Sequence, residues 1–186
     1  MEHQELLKDA QLLFVEGKDR ESIEAYTKAL EAGAEPYIIC LSRGVAYVRT
    51  KEVDKAIDDF STALKANDQS PRAYFYRGLA YMMKEGFESA VSDFTKALEL
   101  KPDYAMAKFS RAISYARLDK YDEASKDMLV VLPQMEQGLQ SFADTYGILR
   151  TQMWKVMAQV SGEVETPTLE LGEKQIEILK KWLEEA

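Results

Sequence analysis

The chain has 186 residues, 46% of them hydrophobic and 30% charged, with a formal net charge of −8, enough for one soluble domain with a core and too charged for a membrane span. The acidic balance argues against a nucleic-acid partner, because phosphate binding rests on clustered Lys and Arg that release counterions. One cysteine, Cys40, forms no internal disulfide, the opening MEHQELLKDA lacks leader features, and no apolar run approaches the 18 or so residues of a spanning helix, so the expectation is a cytoplasmic protein without a membrane partner.

From the N-terminus the sequence repeats. Gly44 and Gly78 stand 34 residues apart, and the same step reaches Ala10 upstream and Ala112 downstream, dividing the chain into units 3–36, 37–70, 71–104 and 105–138 without a gap. Counting places within a unit, place 11 holds Leu13, Tyr47, Tyr81 and Tyr115; place 20 holds Ser22, Ala56, Ala90 and Ala124; place 24 holds Tyr26, Phe60, Phe94 and Met128; place 27 holds Ala29, Ala63, Ala97 and Val131. Small residues at places 8, 20 and 27 let two antiparallel helices approach, and large ones at 11 and 24 fill the hollows beside them. Gly17, Lys51-Glu52, Glu85-Gly86 and Asp119-Lys120 supply the turn inside each unit, while Pro36, Pro71 and Pro102 mark the handover to the next.

A second regularity runs through units two to four: Arg43, Arg77 and Arg111 at place 7 and Asp59, Asp93 and Asp127 at place 23, both lost together in the first unit as Asp9 and Ala25. Paired loss favours an Arg–Asp bridge joining helices over arginines that await an acidic ligand, because an unpaired buried charge is costly and arginine's planar fork suits a carboxylate.

Beyond Leu139 the register fades. A long helix is expected over about 139–160, with apolar residues Leu139, Phe142, Tyr146, Leu149, Met153, Val156 and Val160 stepping by three and four. A loop follows at 162–168, and Thr166 and Pro167 open a further helix over about 167–185. Pro133 is compatible with either the end of the fourth unit or the start of this extension (139–186). Three docking places are open to the last helix: on the long helix, in the chain's own groove, or in a second chain.

In period, spacing and residue types the chain resembles the tetratricopeptide repeat (TPR) family, most closely in 71–104, where Tyr74, Gly78, Tyr81, Ala90, Phe94, Ala97 and Pro102 follow the family order. The resemblance implies an all-α, right-handed superhelix of antiparallel helix pairs, here with C-terminal capping helices, whose first helices line a concave groove. It places 2, 5, 9 and 12 of each unit on that groove: Gln4, Leu7, Gln11 and Phe14, then Ile38, Leu41, Val45 and Val48, then Arg72, Phe75, Leu79 and Met82, then Met106, Phe109, Ile113 and Ala116. Met83 adds soft apolar surface beside them, and Arg49, Arg72 and Arg117 are expected at the rim, able to receive a carboxylate.

The expected function is a non-catalytic interaction module, an adapter or small chaperone-like protein that binds an apolar peptide or amphipathic helix of another protein. The alternative is a homo-oligomer or self-capped scaffold whose groove is filled by its own or a neighbour's C-terminal helix. The clamp with which some relatives hold the C-terminal carboxylate of heat-shock chaperones is mostly not matched, since Leu7, Lys8, Gln11, Ser42 and Tyr76 stand at its places and only Arg72 fits. Catalysis, metal and cofactor are not expected: His3 is the sole histidine, Cys40 falls at a core place, and no phosphate loop or metal-ligand spacing occurs.

Overall fold

The structure, a computed structural model, describes residues 2–135, which form α1 (Glu2–Val15), α2 (Asp19–Glu31), α3 (Pro36–Arg49), α4 (Val53–Ala66), α5 (Pro71–Met83), α6 (Phe87–Leu100), α7 (Ala105–Arg117) and α8 (Tyr121–Met135). No strand occurs among the described residues. Each helix packs on its successor, and in addition α1 touches α3, α3 touches α5 and α5 touches α7. The first helices of the pairs therefore form one continuous inner row, the geometry of an all-α superhelix. The helices expected over 139–160 and 167–185, with their capping role, lie outside the described residues.

Local chemistry sets the ends of the helices. Pro36 and Pro71 occupy the first turn of α3 and α5, where the missing N–H costs nothing. The Glu35 side chain accepts from Tyr37 N, and Ser70 Oγ accepts from Ala73 N at 3.1 Å and shares a 2.7 Å hydrogen bond with the Tyr37 hydroxyl. Pro102 lies in the loop before α7, and Pro133 lies within α8.

Within each pair the turn is the same. Gly17, Lys51, Glu85 and Asp119 all have positive φ, at 77°, 65°, 59° and 57°. The next residue's N–H returns to the carbonyl five positions back, Lys18 to Leu13, Glu52 to Tyr47, Gly86 to Tyr81 and Lys120 to Tyr115, at 2.8–3.0 Å. This is the Schellman closure, which satisfies carbonyls left over at a helix end and requires one left-handed residue. Only the first turn supplies a glycine there.

The core repeats with the turns. Phe60 and Phe94 are fully buried, and a Cβ placed on Gly44 or Gly78 would lie 2.5 or 2.7 Å from the facing phenyl ring. Glycine at place 8 is thus required by the phenylalanine at place 24. Alanine takes the same place in the outer units, as Ala10 and Ala112, opposite Tyr26 and Met128.

Candidate binding groove

The inner row is built from sequences with an unusual charge pattern. Helices α3, α5 and α7 contain no Asp or Glu, although the chain as a whole carries 32 acidic residues against 24 Lys and Arg. Among the described residues the acidic ones instead fall on the second helices, the turns and loops, and α1. This segregation was legible in the sequence and is the clearest functional signal that a residue-by-residue reading of the groove missed.

The residues expected to line the groove divide by burial. Ile38 and Met83 are 41% and 50% exposed, Arg72 is exposed, and Val45, Val48, Leu79, Met82 and Met106 are half-buried. Leu41, Phe75, Phe109 and Ile113 are core residues, only 7%, 6%, 2% and 0% exposed, which corrects their expected role as open surface. Phe75 shows the reason: its ring is held 4.9 Å from Tyr104, 5.5 Å from Tyr76 and 5.9 Å from Phe94 within its own unit, and it shares a core cluster with Ala107 of the next. Phe109 and Ile113 join Ala112, Ala124, Met128 and Val131 in the core of the fourth pair, with Met82 packed against it from the third. In the first unit, Gln4 and Gln11 are exposed, and Leu7 and Phe14 pack against a separate core cluster.

The three rim arginines also part company. Arg49 reaches back to the preceding turn, with Nε 3.1 Å from Asp19 Oδ2 and its guanidinium 5.1 Å from the Phe14 ring centre. Arg117 makes the same kind of contact two units on, 4.6 Å from the Phe87 ring centre and 3.7 Å from Glu85. Both guanidinium groups are exposed and rest on the scaffold through these contacts. Arg72 has no carboxylate within ion-pair distance among the described residues.

The place-7 arginines are scaffold. Arg77 donates from Nε and Nη2 to both oxygens of Asp93 at 2.8 and 2.7 Å, and from Nη1 to Ser61 Oγ of the preceding unit at 3.2 Å. Arg43 does the same with Asp59 and Thr27, and Arg111 with Asp127 and Thr95. Each guanidinium binds the two helices of its own unit and the helix before it. The hydrogen bonds to aspartate raise the arginine pKa values above the ordinary value, so these cations do not titrate in any accessible range.

The lone cysteine lies in the core and not in this lining. Cys40 is buried, and burial pushes its thiol up to about 11, far from the reactive thiolate range. Among the described residues no group of three or more His, Cys, Asp and Glu side chains could hold a metal ion, and no helix is long and apolar enough to cross a membrane.

Comparison with known proteins bears on the same residues. Two family models, both described as tetratricopeptide repeat, match residues 7–71 with 53–85 and residues 71–104. They jointly span more than half of the chain. The first TPR domain of Spaghetti (RPAP3), solved with the HSP90 peptide SRMEEVD, is similar at 28% identity over 63% of this chain and 93% of that one, with a TM-score of 0.61. A tetratricopeptide repeat protein from Parabacteroides merdae is 27% identical over 89% of this chain and 66% of its own, with a TM-score of 0.68. MamA from Desulfovibrio magneticus shares the fold at 19% identity over 73% and 77% of the two chains, with a TM-score of 0.68. None of the curated proteins is significantly similar to the chain.

Proposed function

Because the chain belongs to the tetratricopeptide repeat family, we propose that it is a non-catalytic protein-interaction module. Its partner is an apolar protein segment, a peptide or one face of an amphipathic helix, that carries a carboxylate beside its apolar residues. The observation that carries this reading is the inner row itself: α3, α5 and α7 present apolar side chains and no carboxylate, in a chain of net charge −8, with Arg72 exposed among them. For an acidic segment the inner row offers apolar contact and the exposed cation of Arg72 without the carboxylates that the second helices carry. The HSP90 peptide seen in the RPAP3 domain is not the expected ligand, because Leu7, Ser42 and Tyr76 stand where some relatives carry the charged and amide groups of a carboxylate clamp, and only Arg72 fits.

One feature of the sequence favours a second reading. Residues 167–185 are themselves an apolar segment bearing Glu170, Glu173 and Glu177, the same chemistry that the groove selects.

Fluorescence anisotropy distinguishes these readings. A labelled amphipathic peptide with glutamates flanking its apolar face should bind the intact chain, and the same peptide with lysine flanks should bind at least about tenfold more weakly. Arg72→Glu should erase that preference, and Ile38→Glu with Met83→Glu should abolish binding without loss of helical content. Binding that appears only after residues 167–186 are removed favours the self-filled groove. Equal binding of both peptides by the intact chain and by every variant rules out the groove as the site.

A further inference from the structure

In α3, α5 and α7 the only exposed side chains are Ile38 and Arg49, Arg72 and Met83, and Arg117, all at the helix ends. Those at the turn end share place 13, the last residue of each first helix, which reads Val15, Arg49, Met83 and Arg117 through the four units. Val15 and Met83 are 81% and 50% exposed, so apolar and cationic groups alternate along this edge. At the opposite end, place 2 of units two to four has the reverse order, with Ile38, Arg72 and Met106. Between the two ends the row closes at α7, where Ser110 at place 6 and Ile113 at place 9 are 4% and 0% exposed.

The arginines of place 13 differ from those of place 7 in what they leave free. Arg77 at place 7 commits Nε, Nη1 and Nη2 to Asp93 and Ser61. Arg49 makes one long hydrogen bond among the described residues, 3.5 Å from Nη1 to the Phe14 carbonyl, beside its ion pair with Asp19. Arg117 makes none there and has a 3.7 Å ion pair with Glu85, itself 79% exposed. Each guanidinium is nevertheless held against a ring, Phe14 or Phe87. An arginine so placed has already given up part of its rotamer freedom and keeps an open fork, which suits a carboxylate from another molecule.

Successive first helices touch one another, so each step along place 13 is about 8–10 Å. A polyproline II segment turns once in three residues and rises about 9 Å in doing so, which brings every third side chain to one face at that same step. An α-helix is about 10–12 Å wide and would have to rest on the closed middle of α7 as well. We propose that the place-13 edge is a second recognition row, which binds an extended acidic segment whose apolar and acidic residues alternate at every third position. The ligand's carboxylates meet Arg49 and Arg117, and its apolar side chains meet Val15 and Met83. The proposal rests on the reading of the chain as an interaction module and adds a site and a ligand order that Arg72 does not specify.

Two labelled peptides of identical composition test the order on the full chain by fluorescence anisotropy. One places leucine, glutamate, leucine and glutamate at successive third positions with Ser-Pro spacers, and the other places leucine, leucine, glutamate and glutamate there. The alternating peptide should bind at least about tenfold more tightly. Arg49→Gln with Arg117→Gln should abolish the difference at unchanged helical content, whereas Arg72→Glu should leave it. Arg49→Glu with Arg117→Glu should instead prefer the alternating peptide with lysine in place of glutamate, a gain that a misfolded variant cannot produce. Equal binding of the two orders, or binding of neither, overturns the proposal. So does a preference that survives the paired glutamine variant or is lost in Arg72→Glu, and so does the absence of the lysine gain at unchanged helical content. The amphipathic peptide used to test the proposed function separates the two readings. If that peptide binds while order is not discriminated, the interaction module stands and only the second row is lost.

Discussion

The two central repeats hold a glycine against a phenyl ring, Gly44 with Phe60 and Gly78 with Phe94, while the outer repeats hold an alanine against Tyr26 or Met128. The helix contact is therefore specified by a pair of residues, since a larger group on one side requires a smaller one on the other. The same contrast appears in the polar links. Central repeats are tied to both neighbours, by an arginine that reaches back and a hydroxyl that receives the next arginine. The first repeat has a hydroxyl, Thr27, but no arginine, and the fourth has an arginine but no hydroxyl. Each outer repeat has lost only the half of the link that would face outward, which is what a finite stack of nearest-neighbour contacts requires.

The largest test of this contrast removes a central link. Arg77→Ala leaves Asp93 buried and unpaired and should cost about 3–5 kcal/mol, read as a lower urea midpoint. Installing the pair in the first repeat, as Asp9→Arg with Ala25→Asp, should add less than about 1 kcal/mol, because there is no preceding hydroxyl and the site is more exposed. Next in size is Gly78→Ala, expected to cost about 1–3 kcal/mol by overpacking. Adding Phe94→Met, which copies the Ala112–Met128 pair, should recover part of that loss in the same urea titration.

Smaller effects belong to the turns and the groove. Lys51→Gly relieves a left-handed residue and should stabilise by up to about 1 kcal/mol, whereas Gly17→Ala should destabilise by roughly as much. Ile38→Glu with Met83→Glu should move the midpoint by no more than about 0.5 kcal/mol each, since both side chains are already exposed, while peptide affinity is lost. A large stability loss in that variant would show that these two side chains contribute to the core.

Much of this was legible before any coordinates. The 34-residue step, the small and large places and the joint loss at Asp9 and Ala25 locate the helix pairs and the Arg–Asp bridges, because contacts inside a unit recur at fixed separations along the chain. The hydroxyl at place 25 was harder to see. Ser61 and Arg77 lie 16 residues apart, as do Arg77 and Asp93, but a serine or threonine on a helix surface carries no sign of a partner in another unit. The left-handed residues Lys51, Glu85 and Asp119 were hidden for a related reason, since the closure of the turn imposes a conformation that these residue types do not announce.

What the sequence determined by itself is the repeat: which residues pair inside a unit, where the turns fall, and which helices are free of carboxylates. Those properties follow from side-chain size, helical periodicity and charge, all local to a stretch of 34 residues. The tertiary structure decided which side of a helix remains surface once the next unit is laid against it. Phe75 and Ile113 sit on the stripe expected to be open and are core residues, while Arg49 and Arg117 are drawn back onto the preceding turn. Burial there depends on how closely one unit approaches the next, a distance set by contacts from both units together that no single stretch of sequence encodes.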